Sequence, residues 1–252
     1  MKRALVTDQP EWGNQAEPRT IAELAYRVLR DDILWGRLEP EAPLRFDDLR
    51  TRYEYGISPL REALMRLASE RLVTFVGQKG FRVAPLTSAD VSDTLRTRLV
   101  IEREALARSI EAGDLAWEMA LVSAFHGLSR HPTPTDGAPD ADQWAYYHRQ
   151  FHFALLAACG SKWQLEFAAV LFDQAERHRV MRARVTAKDV LGRDVQTEHA
   201  SIFEAAIARD VTKALAALER HYAKTADQVL GVLADRNGER PAKPAYHQAG
   251  SG

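Results

Sequence analysis

Four histidines have the residue type and the spacing of a metal-binding set. His148 and His152 lie four positions apart in the segment HRQFH, so on a helix both imidazoles point to the same side. His199 and His221 follow in later segments with helical patterns. Two imidazoles at this spacing can chelate one cation, and two more from neighbouring helices would complete a four-nitrogen site. The alternative is that each histidine lies on the surface or in a core with its hydrogen bonds satisfied. No such pattern links the other histidines, which are His126, His131, His178 and His247.

A second set of residues suits nucleic-acid binding. In the segment SPLREALMRLASERLV the apolar side chains repeat at helical spacing, which leaves Ser58, Arg61 and Arg66 on the opposite, open side. Side chains of this kind can reach base edges and phosphates from a helix in the major groove. Gln78 and Lys79 stand between two glycines in a predicted hairpin loop. The basic residues available for a local patch are Arg45, Arg50, Arg52, Arg61, Arg66, Lys79 and Arg82.

Two short helices and a hairpin must position this second set. The pattern predicts a helix over 44–53, a break at Tyr55-Gly56, and a second helix that Ser58 caps and Pro59 begins. Strand-like runs over 72–76 and 81–83 follow, joined by the loop with the basic tip. Together these elements predict a winged helix-turn-helix.

An earlier helix completes this module. Thr20 and Glu23 have the spacing of a capping box, and Gly36 is the predicted stop. We therefore expect the winged module to span residues 18–86. The apolar stripe predicted for its first helix consists of Ile21, Leu24, Ala25, Val28, Leu29 and Ile33.

Residues 87–236 are almost wholly helical in pattern. Six helices are predicted, and their short connections imply an antiparallel bundle in which a pocket between helices is the natural ligand site. The segment HPTPTDGAPD is the predicted surface loop, and the polar segments 1–17 and 237–252 are predicted mobile tails. The predicted helices run from Thr87 or Ser88 to Ala112, then to about Ser129, and over about 142–158, 162–184, 188–208 and 211–234.

Length and composition agree with a two-domain binding protein. A chain of 252 residues has room for two cores, and a formal charge of -1 means that DNA must be held by a local basic patch. Asp47, Asp48 and Glu62 reduce the net positive charge of that patch. The alternative is that these basic residues belong to an ordinary surface of mixed charge. Cys159 is the only cysteine, which suits a reducing cytosol, and no apolar run approaches the length of a membrane span. We expect a soluble, cytoplasmic protein with no membrane contact.

The segment RYEYGISPLREALMRLASERLVTFVGQKGFRVAPL resembles the DNA-binding domain of the GntR family of bacterial transcription regulators, in its FadR-like branch. The resemblance implies that Arg61 is the DNA-contacting arginine at the start of the recognition helix and that Ser58 contacts a phosphate or a base. Many members carry an arginine where this chain has Ile57, so the family's operator sequence does not transfer.

Most of residues 86–234 resemble the FCD effector domain of the same branch. The matching pieces are Arg98 with Ile101-Glu102, His148 with Phe151-His152, and Glu198-His199 with His221. The resemblance implies that the four histidines bind a metal ion and that Arg98 pairs with the carboxylate of a small organic acid. The family's usual first ligand is aspartate, and a site with His148 there is softer and favours zinc or nickel over magnesium or calcium. Arg98 could equally pair with Glu102, one turn further along the helix.

The combined expectation is a ligand-responsive transcription regulator, most often a repressor in this family, that binds a double-stranded operator as a homodimer. Two alternatives remain open at this stage. One is a metal-dependent enzyme, although no HExxH motif marks a general base beside the metal. The other is a DNA-binding protein whose second domain only dimerises.

Overall fold

The structure is a computed structural model that describes residues 20–131, 141–185 and 193–237. Within the described residues the chain divides into two compact units: the first comprises residues 20–33 and Arg37–Ala84, and the second comprises Leu34–Gly36 and the residues from Pro85 onward. The described part is mainly helical and has one small three-stranded sheet. The predicted fold class, a winged helix-turn-helix followed by an all-α bundle, is confirmed.

The first unit begins with helix α1, Ile21–Leu34. The Thr20 hydroxyl caps it by accepting a hydrogen bond from the Glu23 amide at 3.1 Å. Ala25, Leu29 and Ile33 face the core as predicted. The predicted apolar stripe is not buried at its start, because Ile21 is 58% exposed and Leu24 is 39% exposed.

Helix α2 begins later than predicted. It spans Phe46–Tyr53, whereas Leu44 belongs to the two-residue strand β1, Pro43–Leu44. Leu44 is buried there and pairs with Phe81. Proline is tolerated at the first position of an edge strand, where its missing N–H breaks no hydrogen bond of the sheet.

Helix α3 spans Ile57–Ser69 and begins one residue before the predicted cap. Gly56 is the N-cap, because its carbonyl accepts the first helical hydrogen bond from the Leu60 amide at 3.2 Å. Ser58 therefore lies within the first turn, and the prediction that it caps the helix is wrong. Pro59 is accommodated there, since amides of the first turn have no partner within the helix.

The wing follows as strands β2, Val73–Phe75, and β3, Phe81–Val83. The strands are antiparallel, and β3 lies between β1 and β2. A single 3-10 turn, Gly77–Lys79, joins them and is closed by a 2.8 Å hydrogen bond from the Val76 amide to the Gly80 carbonyl. The predicted hairpin with Gln78 and Lys79 at its tip is confirmed.

The second unit contains six helices within the part of the chain that the structure describes. Thr87 and Asp90 form a complete capping box at the start of the first of these helices. Its predicted end at Ala112 is confirmed. The helices are α4 Ser88–Ala112, α5 Leu115–Ser129, α6 Ala141–Leu156, α7 Lys162–Val185, α8 Val195–Ile207 and α9 Val211–Asn237.

Helix α8 was predicted to begin near Lys188, but it begins at Val195. The side chain of Asp194 caps it by accepting a 2.9 Å hydrogen bond from the Thr197 amide, so Arg193 and Asp194 precede the helix. Lys188 itself, most of the predicted surface loop, and nearly all of the predicted tails 1–17 and 237–252 lie outside the described residues.

Two apolar clusters fill the second unit, at different levels of α4 and α9. The larger cluster includes Leu106 and Leu218, and the smaller one joins Val91 to Val229. The two helices are therefore antiparallel, and the polar residues between Val91 and Leu106 lie between the clusters. No helix in the described ranges combines the length and the apolarity that crossing a bilayer requires.

Candidate DNA-reading face and candidate metal centre

The open side of α3 presents the residues expected to read DNA. Ser58 and Arg61 are exposed, and the apolar side of the helix is buried through Leu60, Leu64 and Leu67. The Arg61 guanidinium lies over the ring of Phe46 at the start of α2, with Cζ 5.4 Å from the ring centroid. This cation–π contact holds Arg61 at the junction of the two helices.

Arg66 is less available than its sequence position suggests. Its guanidinium lies 3.7 Å from the centroid of the Tyr26 ring, and its Nε is 3.4 Å from Glu70 Oε1. Glu70 also accepts a hydrogen bond from the Tyr26 hydroxyl at 2.9 Å. Burial, together with the Glu70 carboxylate, raises the pKa of Tyr26 above its usual range. Arg66 is thus part of a cluster that fastens the end of α3 to α1.

Two other arginines of the predicted patch also have structural partners. Arg52 donates to the buried carboxylate of Asp32 at 2.9 Å, and the Tyr53 hydroxyl donates to the same oxygen at 2.5 Å. Arg82 donates to the Glu41 carbonyl. Arg45, Gln78 and Lys79 are exposed, at the start of α2 and at the wing tip.

The structure brings the four predicted histidines together inside the second unit. His148 and His152 come from α6, His199 from α8 and His221 from α9. One ring nitrogen from each lies within 4.8 Å of those of the others, and all four side chains are buried. The Nε2 atoms of His148 and His152 are 3.1 Å apart. This set can hold one metal ion.

Burial keeps these imidazoles neutral. It lowers the pKa of His152 and His199 well below the usual value, and the neighbouring histidines lower both further. Burial lowers the pKa of His221 to about 4 even though Glu198 opposes the shift. The pKa of His148 is lowered by burial as well, against the opposing charge of Glu176. Neutral imidazole is the form that binds metal.

Carboxylates and a tyrosine stand behind three of the rings. Glu198 Oε2 is 2.9 Å from Nδ1 of His221, and the Tyr222 hydroxyl is 3.3 Å from Nδ1 of His152. Glu176 Oε1 lies 3.3 Å from Nδ1 of His148, although not aligned for a hydrogen bond. Partners on the outer nitrogen orient a metal-binding imidazole and increase its basicity.

The residues present fit a metal ion. Among the described residues, Nε2 of His199 is buried and has no hydrogen-bond partner. A buried polar atom left in this way costs roughly 1–3 kcal/mol. A cation among the four nitrogens would remove that cost, and the all-imidazole donor set suits zinc or nickel.

A cavity of about 60 Å³ adjoins the histidines. It has room for a handful of water-sized groups. Arg98 lines the cavity and is only 7% exposed. Its Nε and Nη2 donate to Glu102 at 2.7 and 3.3 Å. Burial alone would lower the pKa of Arg98, but Glu102 raises it above its usual range.

Arg98 thus pairs with Glu102, as one of the two alternatives from the sequence proposed, and it also faces the cavity, so its pairing with an acid stays a prediction. Nη1 of Arg98 has no protein partner among the described residues and can still serve a ligand. Trp144 and Arg179 also line the cavity. Tyr147, on the same helix as Trp144, stacks on His131, with ring centroids 5.0 Å apart.

Sequence reasoning missed several functional neighbours. Glu176, Arg193 and Tyr222 line the cavity, and so does His178, to which no role was assigned. Arg193 Nη2 is 2.6 Å from Glu198 Oε2, and the hydrogen bond with His221 together with this ion pair lowers the pKa of Glu198 against the effect of burial. Tyr222 follows His221 in the chain but reaches His152 through packing of α9 on α6, and Glu176 and Arg193 also meet histidines of other elements, so spacing within one segment carries little signal for them.

Comparison with known proteins matches two separate domain families to this chain. Residues 21–83 match the bacterial regulatory proteins of the gntR family, and residues 93–224 match the FCD domain. The chain is 36% identical over 208 residues to BphR, a helix-turn-helix transcriptional regulator of Paraburkholderia xenovorans, covering 82% of this chain and 84% of that protein. It is 36% identical over 204 residues to the transcriptional repressor GlaR of Escherichia coli, covering 80% and 93%.

Solved structures with the same fold include McbR/YncC of Escherichia coli, with a TM-score of 0.69 at 18% identity over 87% of this chain and 100% of that one. A GntR regulator from Rhodococcus has a TM-score of 0.66 at 22% identity, covering 83% and 97%. The matched families and relatives are transcription regulators and not enzymes. The chain therefore belongs to the GntR family of bacterial transcription regulators, in the FadR-like branch that carries an FCD domain.

Proposed function

We propose that this regulator is a repressor that holds a divalent transition metal in its histidine cluster and releases operator DNA when a small organic acid binds beside the metal. The observation that carries this proposal is the juxtaposition of four neutral, buried imidazoles with a cavity that Arg98 lines. A 36% identical relative is named a transcriptional repressor, which supports the sign of control.

His148, His152, His199 and His221 would hold the ion. A bound zinc or nickel ion supplies positive charge and open coordination positions for carboxylate oxygens. The chain supplies the orientation: Glu102 fixes the Arg98 guanidinium from one side, so the remaining N–H groups point to the cavity. A charge-assisted hydrogen bond from Arg98 then holds the acid. The small cavity favours acids of a few carbon atoms.

On DNA, Arg61 and Ser58 read the major groove from α3, Arg45 contacts the backbone, and Gln78 and Lys79 reach it from the wing. Arg66 contributes through the position of α3 as much as through its own charge, because Tyr26 and Glu70 hold it.

The regulator binds its operator as a homodimer. On α5, Leu115, Met119 and Val122 recur at helical spacing and are 70%, 64% and 48% exposed. Such a stripe is suited to burial against a second copy of itself.

Met119→Glu should lower the dimer fraction in analytical ultracentrifugation. Val100→Glu, at a 76% exposed position of α4, is the matched control.

The test of the whole proposal begins by selecting an operator from random duplex DNA with the full chain. Fluorescence anisotropy then follows release of that operator by carboxylic acids of two to six carbons, with primary amides of equal length as neutral controls. We expect release by an acid from the zinc-loaded protein and none from the His152→Ala variant. Release that is equal with and without metal would reject the metal's role.

A further inference from the structure

The cavity beside the histidines extends along α4 and α9, away from the metal-binding set. At one end Arg98 of α4 lies over the ring of Tyr222 of α9, with Cζ 3.9 Å from the centroid. Two turns away on each helix, Val91 packs with Val229, and both also line the cavity. Seven residues of helix rise about 10 Å. We call the part lined by Val91 and Val229 the distal end.

His178 of α7 lines the same cavity and is 5% exposed. On α7, Phe172 lies beside Arg98, whereas Arg177, the residue before His178, donates a hydrogen bond to the Pro85 carbonyl just before α4, so His178 lies toward the distal end. Within the described part of the chain, neither ring nitrogen has a hydrogen-bond partner. His178 is thus a buried polar side chain that faces open space and lacks a protein partner.

We infer that His178 recognises the end of the effector farthest from the metal, by donating a hydrogen bond from its ring N–H to an oxygen atom of the ligand. This inference rests on the proposed function, since it concerns the acid held by Arg98 and the histidine cluster. A ligand that ends in hydrocarbon would leave the imidazole unsatisfied, whereas an oxygen acceptor would satisfy it. His178 therefore selects for acids that carry a second oxygen function.

The protonation state of His178 agrees with this role. Burial and the neighbouring Arg177 lower its pKa to about 4, so it is neutral at physiological pH. A neutral imidazole offers one donor and one acceptor. Both a hydroxyl and a carboxylate can accept from the donor, and only a hydroxyl can also donate in return.

The charged residues that line the cavity do not provide this selection. Each guanidinium already has a carboxylate partner: Arg98 has Glu102, Arg179 has Glu176, and Arg193 has Glu198. Recognition at the distal end therefore depends on a directed hydrogen bond and not on an unbalanced positive charge.

The test uses isothermal titration calorimetry on the full, zinc-loaded chain. The probes are straight-chain acids of two to six carbons, each compared with its hydroxy- and carboxy-terminated counterparts. His178→Phe keeps a buried ring without the donor, and His178→Gln restores an N–H. We expect the parent to bind one oxygenated acid about three- to tenfold more tightly than the plain acid. His178→Phe should abolish that difference, His178→Gln should restore part of it, and zinc stoichiometry should stay unchanged.

Two results would overturn the role of His178: an unchanged preference for oxygen in His178→Phe, or an equal loss for plain and oxygenated acids. Binding of no acid to the zinc-loaded parent would overturn the proposed function as well, so the two failures are distinguishable. Comparison of the hydroxy-terminated acids with the carboxy-terminated acids shows which kind of oxygen His178 contacts. A carboxylate beside His178 would raise its pKa and draw in a proton, so only that series should show a binding heat that depends on the buffer.

Discussion

Arg98 and Glu102 form a buried ion pair along one face of α4, with Arg98 Nε 2.7 Å from Glu102 Oε1. Glu102 is 2% exposed and accepts a further hydrogen bond from the Tyr222 hydroxyl, which itself lies 3.3 Å from His152. Glu102 therefore orients the guanidinium on one side and the tyrosine beside the His152 ring on the other. A change at Arg98 should therefore affect the fold as well as the proposed binding of the acid.

Arg98→Ala should lower the free energy of unfolding by about 3–5 kcal/mol, because it leaves the Glu102 carboxylate buried without its cation. The double variant Arg98→Met with Glu102→Gln removes both charges and should recover much of that loss. Urea denaturation of the metal-free protein measures both values. A single-variant cost below about 1 kcal/mol would mean that the pair is not buried in solution.

Arg98→Lys is therefore the better probe of effector binding. Lysine keeps the charge near Glu102 but lacks the planar fork that holds two partners at once. Acid affinity should fall roughly tenfold while zinc binding and operator affinity persist, as measured by calorimetry and anisotropy. Unchanged release of operator at the same acid concentration would place the carboxylate elsewhere in the cavity.

Removal of one metal ligand should remove the metal. His152→Ala and His199→Ala should reduce zinc from about one ion per chain to a small fraction, because each takes one of the four nitrogens. His126→Ala, an exposed histidine on α5, is the control and should retain zinc. Elemental analysis after zinc loading and desalting decides between these outcomes. Full occupancy in both variants would show that the ion binds elsewhere.

The stability of the metal-free protein should depend on the protonation of His178. Its pKa is about 4 in the fold and near 6.5 otherwise, so below pH 6.5 the unfolded chain binds a proton that the folded chain rejects. The contribution of neutral His178 to the free energy of unfolding is therefore complete above pH 6.5. It is lost as the pH falls toward 4, at up to about 1.4 kcal/mol per pH unit. His178→Asn should flatten the dependence of unfolding free energy on pH by that amount. Equal slopes for His178→Asn and the exposed control His126→Asn would refute this.

Arg61→Ala should weaken specific operator binding by about 1–3 kcal/mol at fixed salt without changing helicity. Arg96→Ala removes the same charge from a 71% exposed side chain of α4 and serves as the control. Mobility shift with the selected operator, compared with scrambled DNA, measures both. If the two variants bind the operator as the parent does, the reading face of α3 has been assigned wrongly.

Local patterns predicted local structure well. The spacing of His148 and His152 placed two imidazoles on one side of α6, and caps and glycines set most helix ends. Leu44 was misassigned because its strand is only two residues long and exists through pairing with Phe81, far along the chain. Ser58 was misassigned because Gly56, two positions earlier, is also an accepted N-cap although serine is preferred there, so the residue type did not identify the cap.

The surroundings of the site needed the tertiary structure. Glu176 on α7 reaches His148 on α6, and Glu198 on α8 reaches His221 on α9, through packing of separate helices. Likewise, the partner of Arg66 on the first helix, Tyr26, lies forty residues away. Periodicity reports which side of a helix is apolar, but it does not report which polar residues of two helices meet.

Four uncharged imidazoles give a bound cation no negative charge of their own, and the nearby carboxylates are already shared with arginines. For the proposed regulator, the acid is then the group that balances the ion, so each should bind more tightly when the other is present, and by the same factor. Acid in the medium should accordingly slow the loss of zinc to a chelator. Repression would be relieved only when metal supply and acid supply coincide, which makes the protein a coincidence detector for two small solutes.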